Sequence, residues 1–92
     1  MQWKLFANLA ETVGDRNVTV DVEDGATVGD ALDALLAAHP TLEDDVLDED
    51  GDLYDHIQLL HNGTNPFAEG DGLETPVAAD DELALFPPVS GG

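Results

Sequence analysis

The last six residues present the group best placed for chemistry, the terminal carboxylate, and they read Pro87-Pro88-Val89-Ser90-Gly91-Gly92. Glycine has no Cβ, so the backbone at Gly91 and Gly92 can pass through a channel too narrow for side chains. The prolines fix φ and lack N–H donors, so the base of the segment cannot extend a sheet. Fully extended, six residues span about 20 Å. We therefore expect residues 87–92 to form a flexible tail that threads into a partner and presents the carboxylate of Gly92. The alternative is a chain end that is disordered to no purpose.

Other candidate sites are weaker. Residues 48–52 are acidic like a calcium loop, but their glycine stands at the fourth position and an EF-hand requires it at the sixth. His39, His56 and His61 do not show the spacing of metal ligands on a helix. Ser90 has no evident base beside it. We predict no metal site and no catalytic side chain.

Lys4 is the single lysine of the chain. It could be the only internal acceptor for an isopeptide bond, because an amine is the nucleophile that such a bond needs. An ordinary surface charge is the simpler interpretation, and the sequence leaves both open.

The composition restricts the classes of partner. Twenty-one acidic residues face two basic ones in 92 residues, a formal net charge of −19, and there is no cysteine. Nucleic acids and anionic membranes need basic surface, so neither is an expected partner. Disulfides and thiolate metal sites are excluded. The N-terminal residues do not resemble a signal peptide, and no apolar run is long enough to span a membrane, so we expect a cytoplasmic protein.

The acidic residues are dispersed along the chain, with no single acidic block. One interpretation is a surface that binds cations or basic proteins. The other, which the shortage of lysine favours, is adaptation to molar salt, where screening shortens the Debye length to about 3 Å. In that case the negative charge reflects the salt concentration in which the protein works and gives no information about its function.

Periodicity predicts four strands and one long helix. The helix begins after Thr27, whose side chain forms a capping box with Asp30, and ends at His39-Pro40. Ala7 to Val13 is expected to form a short helical turn that ends at Gly14. The predicted strands are residues 2–6, 18–22, 57–61 and 82–86.

Two loops separate the later elements in this interpretation. Residues 42–52 are predicted to be an acidic loop with one turn around Val46 and Leu47. Residues 64–75 are predicted to be a loop that Phe67 and Leu73 anchor to the domain. Two strands, a helix and two returning strands predict an α+β, β-grasp (ubiquitin-like) fold with a mixed sheet. We expect this domain to cover residues 1–86 and the tail residues 87–92.

Two phenylalanines fall on the predicted polar faces of their strands. Phe6 shares a face with Gln2 and Lys4, and Phe86 shares a face with Ala84. If the first and last strands are neighbours, the two rings form an exposed apolar pair at the foot of the tail, and such pairs often mark partner surfaces. The alternative is that a loop, such as the one with Phe67, covers them.

Several segments together resemble a known family. Residues 81–92 resemble the C-terminus of the small, sulfur-carrying subunit of molybdopterin synthase and, still more, the haloarchaeal small archaeal modifier proteins. Residues 4–11 match the first strand and turn of that family, and residues 27–32 match its helix start. Residues 52–57, followed by Asn62-Gly63, also fit.

The resemblance implies a protein that is not an enzyme and binds no cofactor itself. A ubiquitin-activating-type enzyme would use ATP and Mg²⁺ to adenylate Gly92, with docking assigned to Phe6 and Phe86. The carboxyl group would then form an isopeptide bond with target lysines or become a thiocarboxylate for sulfur transfer. An isopeptidase and the large subunit of molybdopterin synthase are further implied partners, and the carrier is expected to be a monomer. The alternative function is a dedicated small subunit of molybdopterin synthase.

The dispersed charge generates the first prediction. Lowering the ionic strength from molar KCl to dilute buffer should destabilise the fold, because the carboxylates are then no longer screened from one another. Thermal melts followed by circular dichroism measure this. Identical melting temperatures in the two solvents would contradict the salt-adaptation hypothesis.

Overall fold

The structure is a computed structural model that describes residues 1–54 and 57–87. Its strands are β1 (Gln2–Leu5), β2 (Asn17–Thr19), β3 (Gln58–His61) and β4 (Glu82–Phe86). Its α-helices are α1 (Asn8–Val13), α2 (Val28–Ala38), α3 (Glu43–Val46) and α4 (Pro66–Glu69). Two 3₁₀ turns cover Pro40–Leu42 and Gly72–Glu74.

The four strands form one mixed sheet in the order β2-β1-β4-β3. β1 pairs antiparallel with β2 and parallel with β4, and β3 pairs antiparallel with β4. A parallel neighbour requires a crossover, and the segment with α2 supplies it. This is the β-grasp, ubiquitin-like arrangement that the sequence predicts.

The alternation of side chains along the two central strands places the core on one face of the sheet. Trp3 and Leu5 of β1 and Leu83 and Leu85 of β4 are all buried. The apolar side of α2 covers them, with Ala31 and Leu35 fully buried. The indole N–H of Trp3 donates a 3.1 Å hydrogen bond to the carbonyl oxygen of Ala31, which ties the sheet to the helix. The helices therefore lie on one side of the sheet and leave its other face open.

The ends of α2 confirm the sequence prediction. The Thr27 hydroxyl accepts from the backbone N–H of Asp30 at 3.3 Å, and the Asp30 carboxylate accepts from the N–H of Thr27 at 3.0 Å. This reciprocal pair satisfies two N–H groups that a helix start would otherwise leave unpaired. The helix ends at Ala38, and His39 leaves the helical region before Pro40.

The second strand is shorter than predicted. The sequence indicates residues 18–22, but pairing with β1 ends early, because Val20 already lies opposite Met1 and bonds to its carbonyl oxygen at 3.0 Å. Asp21 and Val22 therefore have no residue of β1 to pair with. Val20 is nevertheless buried and Val22 half-buried, so the valine face still contributes to the core.

The two predicted loops contain more regular structure than the sequence indicates. In residues 42–52, the turn comes earlier than predicted, as α3, and Leu42 and Val46 are fully buried beneath it. In residues 64–75, α4 begins after Asn65, whose side chain accepts from the N–H of Phe67 at 2.9 Å. Leu73 packs against the core as predicted, but the prediction for Phe67 is wrong: its side chain is 51 % exposed.

No helix in the described ranges combines the length and the apolar character that crossing a membrane requires.

The start of β4 is fastened to the end of β3 by polar side chains. His61 Nε2 lies 2.7 Å from Asp81 Oδ2, and Asn62 Oδ1 accepts from the N–H of Glu82 at 2.9 Å. The Asp81 carboxylate also accepts from the N–H of Ala78 at 2.8 Å. Hydrogen bonds from His61, Ala78 and Asn62, in that order of importance, lower the pKa of Asp81 from 3.8 to about 2. These contacts fix where β4 begins.

The lowered pKa of Asp81 predicts an acid-dependent loss of stability. A carboxyl whose pKa is lower in the folded than in the unfolded chain stabilises the fold above the unfolded value. That contribution is lost as the pH falls from about 4 towards about 2. We expect it to be about 1 kcal/mol, since the side chain remains partly in solvent. Denaturant melts should therefore separate the wild type from Asp81→Asn at neutral pH and converge at about pH 2. A constant difference across that range would contradict this.

Candidate functional site

The open face of the sheet brings Phe6 and Phe86 together. β1 and β4 are parallel neighbours, with Lys4 opposite Ala84. The next outward-facing residue after Lys4 is Phe6, and the next after Ala84 is Phe86. The two rings are stacked, with centroids 4.3 Å apart and an angle of 12° between their planes. Phe6 is 39 % exposed and Phe86 is half-buried. The structure therefore forms the apolar pair that the strand faces predict.

Two further apolar side chains extend this pair into a patch. Leu60 of β3 lies opposite Ala84 of β4, so both point to the open face, and both are half-buried. We call Phe6, Leu60, Ala84 and Phe86 the outer-face patch. Leu60 was not predicted to belong to this surface, although the alternation in β3 already places it opposite in direction to the buried Leu59. The position of Leu60 opposite Ala84 depends on the register between β3 and β4, which the alternation within one strand does not determine.

The alternative that the loop with Phe67 covers the pair is not what the structure shows. Phe67 lies in α4, which contacts the 3₁₀ turn Gly72–Glu74 and β3, but Phe67 makes no ring contact with Phe6 or Phe86. That turn contacts α2, on the core side of the sheet. Phe6 keeps more than a third of its surface in solvent. The outer-face patch is therefore accessible to a partner.

Beside the patch, Lys4 forms an ion pair with Glu82. Lys4 Nζ lies 3.3 Å from Glu82 Oε2, and the two side chains are 45 % and 48 % exposed. An ion pair this exposed contributes little to stability. Its local effect is to balance one negative charge, so the face next to the patch has no net charge from these two residues.

The tail follows directly from this face. β4 ends at Phe86, and Pro87 is half-buried. The predicted tail residues Pro88, Val89, Ser90, Gly91 and Gly92 lie outside the described residues, as does His56. Their roles stay predictions, as does the boundary between domain and tail. Of the other histidines, His39 lies at the end of α2 and His61 pairs with Asp81.

Comparison with known proteins identifies the family. The ThiS family model matches residues 3–92. Small archaeal modifier protein 1 of Haloferax volcanii is 62 % identical over 92 residues, with both chains fully covered. A crystal structure of that protein matches with a TM-score of 0.90 and 61 % identity, covering 100 % of this chain and 98 % of the other.

A more distant structure contains a partner. One chain of the crystal structure of the Amycolatopsis orientalis BexX/CysO complex matches with a TM-score of 0.82 and 25 % identity, covering 99 % of this chain and 98 % of that one. The similarities support the modifier hypothesis and not the dedicated subunit of molybdopterin synthase. The chain belongs to the ThiS family and is a ubiquitin-like modifier, not an enzyme, homologous to small archaeal modifier protein 1.

Proposed function

We propose that an activating enzyme of the ubiquitin-activating type adenylates the carboxylate of Gly92, which is then joined to lysines of target proteins. The observation that supports this most directly is the stacked pair of Phe6 and Phe86, which lies where β4 gives way to the tail. A partner that holds this pair also holds the end of β4, which residues 87–92 follow in the sequence.

The chemistry requires activation because a carboxylate is a poor electrophile. The Gly92 carboxylate attacks the α-phosphorus of ATP, pyrophosphate leaves, and the product is an acyl adenylate. A deprotonated lysine amine of the target then attacks the carbonyl carbon, and AMP leaves as the isopeptide bond forms. ATP and Mg²⁺ belong to the enzyme. The modifier contributes reach, a slender end and a docking surface, so it needs no catalytic side chain of its own.

The outer-face patch suits a partner with an apolar surface of its own. Exposed apolar side chains that cluster on one face commonly serve as docking sites. In molar salt, attraction between charged surfaces is screened within about 3 Å, whereas apolar contacts persist. A docking surface of stacked aromatic rings beside a neutralised ion pair therefore fits the salt-adapted interpretation of the composition.

The same adenylate supports sulfur transfer. If the outer sulfur of a donor's persulfide attacks the carbonyl carbon in place of an amine, AMP leaves and an acyl disulfide forms. A second thiol of the sulfur donor then attacks the inner sulfur of that disulfide, so that the donor is oxidised to a disulfide and a thiocarboxylate remains on Gly92. The ThiS family membership of the chain supports including this second outcome. We propose that the chain acts as a monomer in the cytoplasm, where ATP and target proteins are available, and that an isopeptidase reverses the conjugation. In the sulfur-transfer branch, the large subunit of molybdopterin synthase is a proposed recipient.

Substituting Phe86→Asp tests the docking role. The new carboxylate disrupts the apolar patch, and loss of a central aromatic contact typically costs 2 kcal/mol or more, so kcat/KM for ATP–pyrophosphate exchange should fall at least about tenfold. Phe67→Asp is the matched control, because Phe67 is an exposed phenylalanine that does not belong to the outer-face patch. Folding of both variants is checked by circular dichroism. Equal exchange kinetics for Phe86→Asp and wild type would contradict the docking role.

Deleting Gly92 tests the conjugation role. In the native host, the deletion should abolish the high-mass conjugates that an antibody to an epitope on the N-terminus detects. Conjugates that persist without Gly92 would refute it. Molybdoenzyme activity in the same cells reports the sulfur branch: a loss of that activity with no conjugates in the wild type would indicate a carrier only.

A further inference from the structure

Lys4, the single lysine of the chain, lies on the same face as the outer-face patch. It is in β1, opposite Ala84, and its neighbour along the open face is Phe6. The ion pair with Glu82 holds the ammonium group over β4 while leaving nearly half of the side chain in solvent. An amine at this position is accessible in the free protein.

A protein interface of ordinary area that is centred on the outer-face patch also covers Lys4. Residues two apart on a strand are separated by about 7 Å. A stable interface buries about 800 Å² on each partner, which corresponds to a disc of about 16 Å radius. An interface centred on Phe6 and Phe86 must therefore cover Lys4 as well.

We propose that joining a second copy of this chain to Lys4 and activating the copy that carries that Lys4 are mutually exclusive. The inference rests on the proposed function, since it requires that the activating enzyme docks on the outer-face patch. The occupant of Lys4 is a second copy because its tail, about 20 Å long when extended, can bring Gly92 onto an exposed lysine of an identical chain. The partner that competes with it is the activating enzyme.

The covalent step balances as an ordinary acyl transfer. The Lys4 ammonium first loses a proton to solvent, and the amine attacks the carbonyl carbon of the Gly92 adenylate of the second copy. A C–N bond forms, the bond between that carbon and the AMP oxygen breaks, and the nitrogen releases a second proton. ATP, used by the activating enzyme, supplies the adenylate. The product amide is neutral, so Glu82 loses the cation with which it pairs.

Two consequences follow for the assembly of linked copies. A copy docked on the enzyme has a covered Lys4 and cannot be modified while its own tail is being activated. A copy modified at Lys4 keeps a free tail that the enzyme can no longer adenylate. Linked copies therefore grow one at a time on a copy that is already attached to a target. Two copies that are linked through Lys4 but not attached to a target cannot be transferred together, because the enzyme cannot adenylate the tail of the acceptor copy.

The absence of cysteine allows a direct test. The variant Lys4→Cys is coupled to a maleimide polyethylene glycol of about the mass of the chain, 9.7 kDa, as a stand-in for the second copy. The matched control is Asp33→Cys with the same adduct, since Asp33 is exposed on α2, on the other side of the sheet. ATP–pyrophosphate exchange with the activating enzyme is measured for each variant before and after coupling.

We expect coupling at Lys4→Cys to lower kcat/KM at least about tenfold relative to the uncoupled variant, as a lost docking surface does. Coupling at Asp33→Cys should change it less than twofold. Equal effects of coupling at both positions, or none at Lys4→Cys, would overturn the inference. Phe86→Asp and the Gly92 deletion in the same assay separate the two proposals. If both are impaired while coupled Lys4→Cys is not, only the present inference fails; if neither is impaired, the proposed function fails.

Discussion

Strands β1 and β4 pair in parallel, with Trp3 opposite Leu83 and Leu5 opposite Leu85, and both faces of the resulting sheet depend on that register. On the inner face it aligns the four buried side chains of these two strands beneath α2. On the outer face it aligns Phe6 with Phe86. A shift of one residue would reverse the direction of every side chain in one strand, exposing Leu83 and Leu85 and burying Glu82. The packing of the core and the geometry of the outer-face patch are therefore fixed by the same pairing.

This coupling explains how a chain without catalytic side chains can be specific. The core holds β4 in place, the hydrogen bonds of His61 and Asn62 set where it starts, and Phe86 ends it beside Phe6. The last described residues of β4 therefore lie beside an apolar face. Under the proposed function, a partner that recognises the outer-face patch also locates the end of β4, which residues 87–92 follow in the sequence.

Much of the fold follows from local patterns. The first and last strands, the capping box of Thr27 and Asp30, and the break at His39-Pro40 are all predicted from neighbouring residues, and the structure confirms each apart from one residue at the end of β1. The pairing of Phe6 with Phe86 also follows, because it needs only strand faces and the neighbour rule of a β-grasp sheet.

The features that sequence reasoning missed depend on contacts between distant segments. β2 ends where β1 offers it no further residue to pair with. α3 and α4 are stabilised by the burial of Leu42, Val46 and Pro66 more than by periodicity. The place of Leu60 in the patch requires the β3–β4 register. The exposure of Phe67 shows the same limit, since composition alone does not distinguish an anchor from a surface ring.

The proposed bond between Gly92 and lysines of other proteins can be detected directly by mapping the acceptor lysines. The wild-type chain has no lysine or arginine after Arg16, so trypsin leaves a long remnant on any target. With Ser90→Lys expressed in the native host, trypsin instead leaves only Gly-Gly on each acceptor. We expect Gly-Gly-marked lysines that disappear when Gly92 is also deleted. Finding none, while the free wild-type chain shows the mass change of an oxygen-to-sulfur exchange, would contradict it and leave a sulfur carrier alone.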